Sequence, residues 1–230
     1  MPVVVFANPK GGAGKSTAAL VLGTTLATLG ASVSVLDCDP NQPLTSWASG
    51  QSKSKVKVKA AHMESALHTM IEREAKEHQF VIVDLEGTAS QRTTRAISRA
   101  NLVIIPLQPS AIDAEQAGRA VAVVREEEEV LGRSIPAQVL LTRTSATVPS
   151  RQQREIIVSL KEASVPMFKT WLIERVAYKA LFRFKKDLKE LEDETVSGLP
   201  EAQKNAADFA EEVIEFFASG REQRGARRVA

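Results

Sequence analysis

The 230-residue chain has one cysteine, Cys38, which excludes an internal disulfide framework and any cysteine-rich metal site. Its three histidines, His62, His68 and His78, are scattered through one charged helical stretch, which argues against a histidine metal centre. No apolar run approaches the roughly 18 residues that a bilayer span needs. The N-terminus enters a strand pattern at once, with no basic n-region and no cleavage site. The expectation is therefore a soluble, cytoplasmic protein. With 43% hydrophobic and 25% charged residues, wholesale disorder is excluded. A chain of this length buries most of its apolar surface without covalent staples.

The net charge of +2 is unevenly placed. The last ten residues carry Arg221, Arg224, Arg227 and Arg228 against Glu222, a net +3 that leaves the other 220 residues at −1. Such a tail either attracts polyanions or ends as a frayed, solvated terminus.

Short apolar runs alternate with longer amphipathic stretches. Strands are expected at Val3–Ala7, Val33–Leu36, Phe80–Val83, Leu102–Ile105 (closed by Pro106) and Ala137–Leu141, with a short one within Val165–Trp171. Lys55–Lys59 alternates Lys and Val, the pattern of a half-exposed edge strand. Helices are expected at Ala18–Leu29 (stopped by Gly30), Glu64–His78, Asp113–Leu131, Ser150–Ala163 with Ser150 as N-cap, Ala177–Glu194 and Glu201–Ala218. Strands alternating with helices imply βαβ crossovers. The fold class is α/β: one P-loop domain, a mostly parallel twisted sheet flanked by helices on both faces, and a helical C-terminal end. The domain is expected to cover residues 1–220, with 221–230 a flexible basic tail.

The most informative stretch runs from Val3 to Thr17, VVVFANPKGGAGKST. A strand enters a glycine-rich turn and then a helix beginning near Lys15. Gly11, Gly12 and Gly14 let the backbone approach a ligand and adopt positive φ. The N–H groups of the loop and first helical turn, from Lys10 through Ala13 to Thr17, can then converge on an anion. Lys15 places charge near the β- and γ-phosphates, and the Ser16 hydroxyl suits Mg²⁺. The standard pattern requires glycine at position 9, where this chain has Pro9, and a second lysine, Lys10, opens the loop.

Lys-Gly-Gly-x-Gly-Lys-Ser is the deviant Walker A signature, and the chain resembles the ParA/MinD class of ATPases. That resemblance implies ATP and Mg²⁺ as cofactors, with Lys10 crossing a face-to-face homodimer to the partner's phosphates. It assigns Asp39, in Asp37-Cys-Asp-Pro-Asn-Gln42, to the Mg²⁺ shell and the attacking water, with Asp37 structural or one layer out. Phe80-Val-Ile-Val-Asp84 resembles a Walker B strand, making Asp84 a carboxylate that polarises Mg²⁺ through water. Catalysis would then fall to Lys10, Lys15 and Asp39, positioning and neutralising charge in slow, partner-stimulated hydrolysis. Leu85-Glu-Gly-Thr-Ala89 departs from the usual family continuation, so Glu86 is either a water-positioning group or merely exposed. Leu102–Asp113 resembles the family's dimer-surface segment, and Arg143 is the candidate adenine contact. Cys38 is expected to be buried and inert.

"NPKGGAGKST", "DCDPNQPLTSW", "FVIVD", "LVIIPLQPSAID" and "VLLTR" occur in family order along nearly the whole chain. Together they look most like the short ParF-type plasmid-partition ATPases, with the first strand at Val3 leaving no helix-turn-helix extension. The resemblance implies a nucleoid-associated DNA-segregation ATPase. It would dimerise on ATP, form higher-order assemblies, bind nonspecific DNA, and answer to a small centromere-binding or adaptor protein. Candidate DNA contacts are Arg151, Arg154, Lys161, Lys169, Arg175, Lys179, Arg183, Lys185, Lys186 and the four tail arginines; Arg175 and Lys179 share a helix face if their helix starts early enough. A ParA-like ATPase positioning a protein cargo is one alternative. A MinD-like membrane-cycling ATPase is another, although Asp208–Phe217 carries four acids and no base, the wrong sign for an anionic bilayer, so no stable membrane association is expected. A small-molecule ligase shares the loop, and an iron-protein-like electron donor needs more than one cysteine.

Overall fold

A computed structural model describes residues 1–61, 66–87 and 91–229, without side-chain detail at 111–113 and 221–229. His62, Glu64, Thr88 and Ala89 lie outside the described residues, as do the side chains of Asp113 and the four tail arginines. The strands are β1 Val3–Phe6, β2 Val33–Asp37, β3 Lys57–Ala60, β4 Phe80–Asp84, β5 Leu102–Leu107, β6 Ala137–Thr144 and β7 Leu172–Ile173. The helices are α1 Lys15–Thr28, α2 Pro43–Ala48, α3 Leu67–Glu77, α4 Gln91–Ile97, α5 Ala111–Leu131, α6 Arg151–Glu162, α7 Val176–Phe184 and α8 Leu199–Val229.

Among the described residues the strands form one seven-stranded sheet in the order β3-β2-β4-β1-β5-β6-β7, and every pairing is parallel. The inner strands are buried on both faces, which is why they read as mainly apolar runs rather than alternating ones; in β2 buried Ser34 interrupts the run and donates its hydroxyl to Glu74 at 2.9 Å. Alternate residues divide between two cores. Val4, Phe6, Val33, Val35 and Ile82 pack under α1, α7 and α8. Val3, Val5, Leu36, Val81 and Val83 pack against α3 to α6. β3 is the half-exposed edge its Lys-Val alternation predicts.

Helix ends follow local chemistry. Ser150 caps α6 by accepting from the Gln153 N–H at 3.1 Å. Gly30, at φ 95°, stops α1: its N–H bonds the Ala27 carbonyl and the Ala31 N–H bonds the Leu26 carbonyl.

Several expected boundaries move. Pro106 does not close β5, which continues to Leu107. The Ile104 carbonyl receives the Ala7 N–H, so by two-residue alternation Pro106 also faces the β1 side, where β1 has already ended. No ladder bond is lost there, and the Pro106 carbonyl accepts the Asn8 amide at 2.7 Å. The strand expected within Val165–Trp171 is only an isolated bridge from Met167 to Val139; the regular pairing is β7, just beyond it.

The helix expected over Ala177–Glu194 stops at Phe184, because Lys185 takes the left-handed conformation at φ 51°. The following segment turns back to hold residues 47–53. Trp47 donates its indole N–H to the Lys186 carbonyl at 3.1 Å, and the Glu190 carboxylate accepts from Ser52 and from the Lys53 N–H. These distant partners outweigh the local helical pattern. The last helix does not end at Ala218; its backbone continues to Val229, through most of the basic tail.

Candidate nucleotide site

All the strands run the same way, so their carboxyl ends gather along one edge, where parallel sheets bind ligands at a change in strand order. β1 lies at that change: β4 and β2 flank it on one side, β5 and β6 on the other. The loop from Ala7 to Gly14 leaves β1 here and leads straight into α1. Gly12 and Gly14 adopt φ 77° and 95°, as the glycine-rich sequence anticipates. No side chain caps α1 and no acid stands in its first turn. Its first N–H groups and its dipole are therefore open to an anion.

Lys15 is buried, and its Nζ donates to the Asn8 carbonyl at 3.1 Å and the Lys10 carbonyl at 3.0 Å. Burial lowers its pKa, opposed by Asp84, Asp39 and Glu86. The Lys10 N–H bonds Asn8 Oδ1 at 2.8 Å, so the opening of the loop is tied to itself.

Asp37 and Asp84 are register partners on β2 and β4, with the same parity as Val35 and Ile82, so both point to the α1 face. Their roles diverge. Asp37 is fully buried and accepts the Thr45 N–H at 2.8 Å and the Asp39 N–H at 3.3 Å, holding the first turn of α2. Asp84 is fully buried, and neither carboxylate oxygen has a hydrogen-bond partner. Burial pushes its pKa up to about 7; Ser16 stands beside it and moderates the shift without reaching hydrogen-bond geometry, while Asp37 adds to it. Half-buried Asp39 accepts the Asn41 N–H at 2.8 Å. Cys38 is buried, its thiol pushed up to about 12 by burial, which leaves it inert as expected.

An orphaned buried carboxylate beside a serine hydroxyl, next to an open helix N-terminus and a buried lysine, fits a divalent cation accompanying a polyphosphate. Ser16, Asp84 and Asp39 would hold the cation's shell.

A cavity of about 280 Å³ adjoins the loop at Gly14 and Thr17 and is walled by Arg143, Arg175, Tyr178, Lys179 and Phe182 among others. Arg143 enters it at φ 50°, where the β6–β7 register shifts between Thr142 and Thr144. The wall is anchored to α8: Tyr178 donates to Asn205 Oδ1 at 3.0 Å, and the Asn205 amide donates to the Trp171 carbonyl at 2.8 Å.

Arg175 and Lys179 do not share a helix face, because α7 starts at Val176 and Arg175 is its extended N-cap. Both line the cavity, with Lys179 paired to Glu174 at 2.7 Å. The other candidate cations are dispersed. Arg151 pairs with Glu155 at 2.8 Å, Arg154 donates to the Pro149 carbonyl, and Lys185 donates to Ser49. Exposed Lys169 stands where α8's Glu212 accepts its backbone N–H, so one of the acids of Asp208–Phe217 has an internal use. No helix among the described residues is long and apolar enough to cross a membrane.

Sequence reading missed three residues that hold the loop in place: Asn8 within it, Gln108 just past β5 and Thr142 from β6. Their one advance signal is position, just before the glycines or at the carboxyl end of a parallel strand.

Residues 1–202 match the family described as VirC1 protein. The chain belongs to the VirC1 family. It is 42% identical over 211 residues to protein ParA of Rhizobium radiobacter, covering 91% of this chain and 95% of that protein. Among solved structures, an ATP complex of a McdA variant from Cyanothece superposes with a TM-score of 0.75 at 20% identity, covering 93% of this chain and 96% of that one. A putative plasmid partition protein from Borrelia burgdorferi, bound to AMPPNP, gives a TM-score of 0.70 at 16% identity, covering 93% and 98%. The expected ParA/MinD class and its fold are thereby borne out.

Proposed function

We propose that this VirC1-family chain is a DNA-segregation ATPase of the ParA type. The observation that carries the ATPase reading is the uncapped start of α1, whose first residue is the buried Lys15, beside the orphaned Asp84, a constellation suited to a nucleoside triphosphate and Mg²⁺. Bound Mg²⁺ supplies charge neutralisation at the phosphates. Ser16, Asp84 and Asp39 orient its shell, Lys15 and the loop N–H groups from Gly11 to Thr17 hold phosphate oxygens, and Asp39 orients water. Arg143 and the neighbouring cavity receive the adenine. The McdA and Borrelia structures carry ATP and an ATP analogue in this fold, which supports the same ligand here.

Lys10, at the mouth of the loop, completes the partner subunit's site in an ATP-dependent homodimer, from which higher-order assemblies grow. The dimer binds nonspecific DNA through dispersed lysines and arginines, including Arg151, Arg154, Lys169 and the tail, with Arg175 and Lys179 shared between that role and the cavity. An adaptor or centromere-binding protein stimulates slow hydrolysis and releases the dimer, in the cytoplasm at the nucleoid.

Two variants test this. Lys15→Ala should abolish ATP binding in calorimetry; unchanged affinity removes the phosphate-loop assignment. Lys10→Ala should keep monomer binding but lose ATP-dependent dimers in light scattering, and a variant that still dimerises refutes the cross-subunit role.

A further inference from the structure

Two side chains from distant strands hold the carbonyls of the phosphate loop. Thr142, at 3% exposure near the end of β6, donates its hydroxyl to the Ala13 carbonyl at 2.9 Å. Gln108, just past β5, donates its side-chain amide to the Gly12 carbonyl at 2.6 Å. A trans peptide is planar, so its C=O and the N–H of the next residue point in opposite directions. Tying the Gly12 carbonyl to Gln108 therefore fixes the Ala13 N–H on the side away from Gln108. Tying the Ala13 carbonyl to Thr142 likewise fixes the Gly14 N–H on the side away from Thr142.

We propose that Thr142 and Gln108 are positioning residues that aim the Ala13 and Gly14 N–H groups at the phosphates before ligand arrives. This deepens the reading of the loop as a nucleotide site and rests on it. Contact between Thr142 and the loop is direct: a Cβ placed on Gly14 would lie 3.3 Å from the Thr142 hydroxyl oxygen, which leaves no room for an intervening water. Without that hydroxyl the Ala13 carbonyl turns toward solvent to find a partner, and the Gly14 N–H turns away from the ligand. Nucleotide binding must then reverse the turn. The same hydroxyl also explains why position 14 is glycine beyond its φ of 95°, since any side chain there would press on the clamp.

The test uses the full chain with ADP and Mg²⁺ in titration calorimetry, together with melting of the nucleotide-free protein. Thr142→Val keeps the shape and removes the donor; ADP should bind about ten-fold more weakly, equivalent to about 1.4 kcal/mol, while the nucleotide-free Tm stays near wild type. Thr142→Ser restores the donor and should return the affinity to near wild type. Gln108→Leu should weaken binding about three-fold, because water can replace its half-exposed amide. Wild-type affinity in Thr142→Val, or failure of Thr142→Ser to restore it, overturns the proposal. So does a lowered Tm with unchanged affinity, the signature of a purely structural tie. Lys15→Ala separates the two levels: unchanged ADP binding there removes the nucleotide site itself, whereas unchanged binding in Thr142→Val alone removes only the clamp.

Discussion

Replacing Asp84 with asparagine should make the nucleotide-free protein more stable at pH 8 while damaging its Mg²⁺-dependent function. The side chain is fully buried, its oxygens have no hydrogen-bond partner, and its pKa is raised from 3.8 to about 7. Between about pH 4 and pH 7 the folded protein keeps this proton while the unfolded chain gives it up. Each rise in pH across that window therefore favours unfolding. The stability is fully present below the unfolded pKa and lost once pH passes the folded one. A shift of about 3 pK units corresponds to about 4 kcal/mol. The substituted asparagine would not titrate, but its buried amide lacks partners too, at about 1–3 kcal/mol. The net gain for Asp84→Asn at pH 8 is about 2 kcal/mol, or about 4–8 °C in Tm for a chain of this size. At pH 4 the gain vanishes or reverses. The assay is thermal and urea melting of both proteins without nucleotide, in chelator, across pH 4–8. The difference between the two curves is the measured quantity, because titrating groups remote from Asp84 cancel. Parallel curves would refute the reasoning. The same argument makes cation binding release a proton, so Mg²⁺-dependent stabilisation by ADP should strengthen as pH rises through 7 in wild type and be lost in the variant.

Gly87→Ala should weaken ADP binding about ten-fold, because its Cβ would stand 2.8 Å from the Gly11 nitrogen and 3.0 Å from the Gly11 Cα, backbone that must shift; calorimetry showing wild-type affinity would sink this. Arg143→Gly should lower nucleotide affinity without loss of fold, since glycine relieves the left-handed backbone at φ 50° by about 1 kcal/mol; a drop in Tm with unchanged affinity contradicts it. Neutralising Arg221, Arg224, Arg227 and Arg228 together should weaken nonspecific DNA binding and flatten its dependence on salt by up to about 0.9 in log–log slope per lost phosphate contact; an unchanged slope excludes the tail from that surface.

What was legible in the sequence is what is contiguous along it. The strand, glycine turn and helix from Val3 to Thr28 follow one another without interruption, so the phosphate loop could be read from residue types alone. Gly30 and Ser150 end or start their helices through bonds that span no more than five positions, and the β2 and β4 aspartates close short, mainly apolar strands. Parallel strands and crossovers also follow from the alternation of short apolar runs with helices.

Tertiary structure alone decided what depends on distant partners. Asp37 and Asp84 differ because one meets the N–H of Thr45 and the other meets none, although both are acids at strand ends. Thr142 and Gln108 reach the loop across 129 and 96 residues of chain, which no local pattern records. Lys185 breaks a helical periodicity because residues 47–53 offer the following segment better partners, and Arg175 leaves its expected helix face to line a cavity. Local propensities are worth tenths of a kcal/mol per residue, and a buried polar group left without a partner costs about 1–3 kcal/mol, so the long-range bonds prevail.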